Sequence, residues 1–225
     1  MPKVRKLIDL TRKVTPGKER FRLEIHTYNV EDYIPGYIAR EPDDWYIIQD
    51  LVACSHIGTH IEAPLHHIRN GYDASRIPLE AVLGDAAILD FLGTHAETEI
   101  SQAEVVARSG HLHSGDIALI RTGWSRHYGT PEYARRPFLA VEAVRWLIED
   151  RHVRCIGVDS SGIENISSPG QPIHRLALGR GIALIEDLDN LEAVETPRTF
   201  LIALPLRIEG LDSSPARIVA VEFAS

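Results

Sequence analysis

A mixed α/β fold dominated by sheet is the class this sequence predicts, and three observations predict it. Short apolar runs bounded by glycine recur along the chain and suit buried strands. Two stretches carry helical spacing instead. The two kinds of element are interleaved rather than gathered into blocks, which is the pattern of an α/β domain. At 225 residues, without repeats, low-complexity tracts or a long linker, residues 1–225 are expected to form one domain.

The elements follow in order. Residues 7–10 (Leu-Ile-Asp-Leu) read as a short first strand, and residues 21–28 alternate like a half-buried one. Residues 30–44 are loop-like, with Pro35-Gly36 and Glu41-Pro42 as breakers. Residues 45–55 form a strand that delivers His56. Residues 86–91 and 116–122 are compact apolar runs suited to buried strands. Ser101-Gln-Ala-Glu104 matches a capping box and opens a helix that stops near Gly110. Residues 138–149 place Leu139, Val141, Val144, Trp146, Leu147 and Ile148 at mostly helical spacing. Beyond them come a strand at 155–158, a short helix at about 173–178, and strands at 182–185, 200–204 and 218–223.

Composition narrows the function. The hydrophobic fraction of 44% and charged fraction of 25% are ordinary for a globular protein with a full core. A net charge of −8 argues against a nucleic-acid or anionic-membrane binder, because those surfaces attract a positive field. Two cysteines, Cys54 and Cys155, give no disulfide framework and are expected as buried thiols. The first ten residues lack the apolar core of a signal peptide, and no run approaches the roughly 20 apolar residues of a membrane helix. A cytoplasmic protein acting on a small molecule is the expectation.

His56, His60, His66 and His67 fall close together with Glu62. Gly58, Thr59 and Pro64 make the segment a poor helix, so an extended strand leaving a glycine turn is expected. In such a strand His60 and Glu62 share a face, and the turn at Gly58 can fold His56 onto the same side. Imidazole and carboxylate are the ligand set of zinc, manganese or iron(II), and three ligands leave a position open for water. A surface loop rich in histidine is the other reading.

His56-x-Gly58-Thr59-His60-x-Glu62-x-Pro64-x-His66 resembles the HxGTHxDxPxH motif of the cyclase-like metal hydrolases, which include bacterial kynurenine formamidases and isatin hydrolases. Similarity extends to Ile8-Asp9-Leu10, residues 119–124, residues 156–161, Pro172-Ile-His174 and the segment from Ile185-Glu186 to Leu191. The resemblance implies a sheet-rich swivelling β/β/α domain, assembled as a homodimer or homotetramer with active sites near subunit contacts. It implies that His56, His60 and Glu62 bind a first divalent metal, zinc or else manganese. Glu62 would bridge to a second ion held also by His174 and Glu186, and His66 would be the catalytic acid/base. The family's aspartate is Glu62 here and its asparagine after Glu186 is Asp187, so the longer acid leaves open one ion or two.

On this resemblance the reaction is hydrolysis of a carbon–nitrogen amide-type bond, first an aryl formamide such as N-formylkynurenine, with an isatin-like lactam as the alternative. Water activated by the metal would attack the carbonyl. His66 suits proton transfer because an unperturbed imidazole titrates near pH 6.5. A non-catalytic metal- or ligand-binding protein and a lyase stand as further alternatives. No Gly-x-Ser-x-Gly elbow, phosphate loop or dinucleotide fingerprint is present. Asp159 reads either as a residue that orients a ligand or as a turn cap. Trp45, Trp124 and Trp146 read as core, and Tyr28, Tyr33, Tyr37, Trp45 and Tyr46 as an aryl pocket wall or as packing.

Overall fold

The structure is a computed structural model and describes residues 3–37, 41 and 45–224. In chain order its strands are β1 (Val4–Asp9), β2 (Leu23–Asn29), β3 (Ile47–Ala53), β4 (His60–Glu62), β5 (Leu83–Asp90), β6 (Glu99–Ile100), β7 (Ile117–Arg121), β8 (Phe138–Leu139), β9 (Cys155–Val158), β10 (Ala183–Glu186), β11 (Arg198–Pro205) and β12 (Ser213–Phe223). The helices are α1 (Val30–Tyr33), α2 (Leu79–Val82), α3 (Gln102–Arg108), α4 (Val141–Glu149) and α5 (Pro172–Gly179).

Among the described residues, eight strands join in the order β1-β12-β11-β5-β7-β9-β10-β4. The run from β5 to β10 is parallel, and the other pairings are antiparallel. Strand β4 pairs with β10 on one side and with the start of β12 on the other, so the sheet closes on itself. This is the mixed, sheet-rich α/β architecture that the sequence predicts.

Closure produces two cores, one on each face of the parallel strands. Ile88, Ile117, Leu119, Cys155, Ile185, Ile61, Leu201 and Ile218 fill the inside of the closed sheet. The alternate residues, among them Leu89, Ile120, Ile156 and Leu184, face outward against Val105 of α3, Leu147 of α4 and Ile173 of α5. Burial on both faces explains why β9 is apolar throughout rather than alternating. Gly157 belongs to this packing: a Cβ there would sit 2.7 Å from Leu119 Cδ2. The capping box is present, with Ser101 Oγ accepting from Glu104 N and Glu104 Oε2 accepting from Ser101 N.

Three expectations are corrected. Residues 21–28 contain a strand, β2, but among the described residues it pairs only with β3, in a ribbon whose side chains are mostly exposed, so it is not half-buried. Trp45, expected in the core, is 78% exposed, and Tyr28, Tyr33, Tyr37 and Tyr46 of the same region are exposed too. Residues 138–139 are drawn into β8 by pairing with β6, so the helix begins only at Val141. The loop-like stretch holds the short helix α1, while residues 38–40 and 42–44 of it, including the breaker Pro42, lie outside the described residues. Cys54 is half-buried, Cys155 buried, and both thiols are free. No described helix is long and apolar enough to cross a membrane.

Candidate metal centre

The site begins at the end of β3, where the chain turns through residues 54–59 into β4. Gly58 has φ +58, and a Cβ there would meet Val14 Cγ1 at 2.5 Å, so this left-handed turn calls for glycine. Thr59 fixes the next step: its hydroxyl donates to Asp187 O (2.6 Å) and accepts from Arg12 N (2.8 Å). The turn then folds His56 back over β4, as expected from the sequence.

Register does the rest. His60 and Glu62 lie two apart on β4 and share its outer face, while Ile61 between them enters the inner core. Glu186, the last residue of β10, stands directly opposite His60. The buried helix α5 brings His174 over the same face, and Pro64 starts a single 3₁₀ turn that carries His66. All six residues expected at the site therefore converge.

The distances sort the donor atoms into two groups around Glu62. Glu62 Oε1 lies 3.4 Å from His56 Nδ1, 3.7 Å from His60 Nε2 and 3.6 Å from His66 Nε2. Glu62 Oε2 lies 3.5 Å from His174 Nε2, which is 3.3 Å from Glu186 Oε1. Glu186 Oε2 closes the circuit, 3.8 Å from His60 Nε2. His67, also in the histidine-rich segment, stacks on the His174 ring at 5.1 Å between centroids.

Two acids absent from the sequence reading complete the site. Glu164 accepts from Ile173 N and His174 N at the start of α5 (2.9 Å each) and bonds His174 Nδ1. Asp212 lies 3.0 Å from His56 Nε2 and 2.9 Å from His66 Nδ1 through the same oxygen. Gly58 O accepts from His60 Nδ1 at 2.8 Å. Each ring thus has its outer nitrogen on an acceptor, which puts the N–H there and turns a lone pair inward.

This convergence tests whether a cation fits. His56 Nδ1 and His60 Nε2 approach to 3.1 Å with both hydrogens committed elsewhere. Glu62 Oε2 and Glu186 Oε1 are buried with no hydrogen-bond partner. Inward lone pairs and carboxylate oxygens without donors need positive charge between them, either protons or metal ions. The hard oxygen and imidazole nitrogen donors suit a first-row divalent ion.

Without metal, protons take that place. Burial pulls the His56 and His174 imidazoliums down, but their carboxylate neighbours outweigh it. Glu62 and Asp212 raise His56 to about 9, and Glu164, Glu186 and Glu62 raise His174 to about 10. Burial pushes Glu62 up, but His56, His60 and His174 outweigh it and hold its carboxyl far below the usual range. Burial likewise opposes Asp212, which bonds from His56, His66 and Ser55 keep at about 2.

The remaining candidates are structural. Asp159 accepts from Thr122 N, Thr122 Oγ1 and Gly123 N, so it holds the turn after β7 and touches none of the six. Trp124 is buried, with its indole N–H on Tyr133 O. Asp187 sits at φ +57 and accepts from the Tyr133 hydroxyl, behind the site.

Comparison with known proteins gives a consistent set of likenesses. Residues 8–165 match the family model Cyclase, described as "Putative cyclase". The kynurenine formamidase of Erythrobacter litoralis is 27% identical over 210 residues, 93% of this chain and 88% of that protein. A solved structure described as a potential metal-dependent hydrolase with cyclase activity is 26% identical with a TM-score of 0.73, covering 98% of this chain and 99% of its own. Isatin hydrolase A from Ralstonia solanacearum is 25% identical with a TM-score of 0.79, over 96% and 91% of the two chains.

Proposed function

This chain belongs to the cyclase family, and from that premise we propose that it hydrolyses an amide-type carbon–nitrogen bond with the help of a divalent metal. The first substrate is an aryl formamide such as N-formylkynurenine, in line with the kynurenine formamidase it resembles. A cyclic aryl amide is the second, favoured by the likeness to isatin hydrolase. Zinc is the first choice of metal and manganese the second.

The observation that carries the reading is the division of Glu62. One oxygen faces His56 and His60, the other His174, and Glu186 faces both groups. His56, His60 and Glu62 would hold one ion; Glu62, His174 and Glu186 would hold another. The longer acid thus spans both groups. Such ions polarise a carbonyl and lower the pKa of water from about 15.7 towards about 7.

The chain's own residues supply the proton transfers. His66 Nδ1 donates to Asp212, so Nε2 carries the lone pair and faces Glu62 Oε1. That nitrogen takes the proton of the attacking water and returns it to the departing amine. His66 is half-buried, within reach of both solvent and the acids. We place the enzyme in the cytoplasm, consistent with its free thiols. We also propose that it works as a homodimer or homotetramer.

The test is elemental analysis of protein purified without added metal, beside the Glu62→Ala variant. One or two equivalents of zinc or manganese are expected in the wild type and a loss in the variant, followed by turnover of aryl formamides or lactams. Metal-free protein that also refuses both metals overturns the reading.

A further inference from the structure

The outer nitrogens of the four site histidines are not held alike. His60 has a carbonyl to itself and His174 a carboxylate to itself, whereas His56 and His66 share one oxygen, Asp212 Oδ2. We propose that Asp212 is a positioning residue that sets the tautomers of His56 and His66 together, so that His56 presents Nδ1 and His66 presents Nε2 to the acid cluster. This inference rests on the metal-hydrolase reading of the site.

A carboxylate only accepts hydrogen bonds, and a neutral imidazole has a single N–H. Two rings on one carboxylate oxygen must therefore both point their hydrogens at it. The lone pairs are left on His56 Nδ1 and His66 Nε2, the atoms nearest Glu62 Oε1. Neutral imidazole free in water favours the Nε2–H form, so His66 is the ring held away from its own preference. In that other form its inward nitrogen would donate and could not accept a proton.

Asp212 is itself fixed in place. Ser55 Oγ donates to its second oxygen at 2.9 Å, and Ala63 N donates to its carbonyl at 2.9 Å. The next residue, Ser213, pairs with Glu62 across β12 and β4, and its hydroxyl donates to Ser55 O. The carboxylate is thus braced from both the turn that carries His56 and the strand that carries Glu62, which is the preorganisation that a positioning role needs.

The discriminating replacement is Asp212→Ala, with Asp212→Asn as the conservative control. An asparagine can keep its Oδ1 on both rings and turn its Nδ2 hydrogens to Ser55 Oγ, whereas alanine removes the shared acceptor and frees the rings to reverse. With His56 Nδ1 committed to metal, the ring that reverses is His66. Histidine ¹⁵N spectra of the zinc-loaded protein read this directly. The wild type should show His66 protonated at Nδ1 with bare Nε2, and His56 protonated at Nε2. In protein saturated with zinc, Asp212→Asn should leave the His66 proton at Nδ1, whereas Asp212→Ala should move it to Nε2. Turnover of N-formylkynurenine by Asp212→Ala should then fall on the order of 10²–10⁴-fold in kcat with little change in KM. Zinc-loaded wild type with His66 protonated at Nε2, or Asp212→Ala protein in which His66 keeps Nδ1–H, overturns the proposal alone. Wild type that takes up no zinc overturns the reading beneath it as well.

Discussion

His60 and Glu186 stand directly opposite each other across β4 and β10, with Nε2 and Oε2 3.8 Å apart. The pair is set by strand register and not by a loop, and Glu62, two residues along β4, is set by the same pleat. Donor atoms on a closed sheet have little room to shift. Replacing one of them therefore changes what the site holds more than where it lies.

Shortening Glu62 to aspartate tests its span. In Glu62→Asp the carboxylate is one methylene shorter and should serve one group of nitrogens at the expense of the other. Where the wild type holds two equivalents of zinc, the variant is expected to hold one by elemental analysis. Two tightly held equivalents in the variant would show that the longer side chain is not needed for bridging.

Glu164 both caps α5 and holds His174. In Glu164→Gln the second zinc should bind about 10–100-fold more weakly, the usual effect of losing a partner that orients a ligand. Loss of the charged cap should lower stability by about 0.5–2 kcal/mol. Metal titration and urea unfolding measure the two effects, and unchanged zinc affinity contradicts the assignment.

The raised imidazoliums give the metal-free protein a defined pH response. His56 and His174 move from an unfolded value near 6.5 to about 9 and about 10. Their contribution to stability is complete below about pH 6.5 and is lost as the pH rises through the folded values. A divalent ion must displace the same protons, so its stabilisation has the opposite slope. Between about pH 7 and about pH 9.5, Tm of the metal-free protein should fall through these groups, while the rise produced by zinc should grow. A zinc increment that is flat with pH would falsify the link.

Ile61 separates two site residues yet lies wholly inside the closed sheet. Ile61→Ala should cost about 2–5 kcal/mol by urea unfolding, as expected for a buried truncation. Because β4 joins both neighbouring strands, the same change should weaken zinc retention. Leu147→Ala, on the buried face of α4, should cost about the same by that principle and leave zinc content intact.

The ribbon of β2 and β3 presents Ile25 and Leu51, paired directly across it, and Trp45 lies just before β3, all exposed. Apolar surface of this kind is suited to a subunit contact. In the homo-oligomer we propose, Trp45→Ser with Leu51→Ser should shift sedimentation towards monomer without unfolding the chain. An unchanged oligomer would place the subunit contact elsewhere.

How far the sequence revealed this protein follows from where each signal lies. His56, His60, Glu62 and His66 fall in one short segment, so spacing and residue type exposed them together. His174 and Glu186 came only through the family resemblance, since a histidine near a helix start and an acid ending a strand have ordinary roles. Asp212 and Glu164 left no signal, because each is an acid in a turn that gains its meaning from distant partners. The alternation of residues 21–28 marked a strand but not what covers its apolar side. Residues 138–139 keep helical spacing, yet pairing with β6 overrides it.

The joining of β4 to β12 also orders events in time. Residues 56–66 leave the ribosome first, and Asp212 and the start of β12 follow roughly 150 residues later, about 8–30 s at ~5–20 residues per second. During that interval the nascent chain carries histidines without the acids that orient them and without the strand that seals them in. On the metal-hydrolase reading proposed above, the enclosed site is complete only once β12 has joined β4. A ribosome that stops short of β12 would release a product with the three residues proposed for the first metal and no enclosed place to use them.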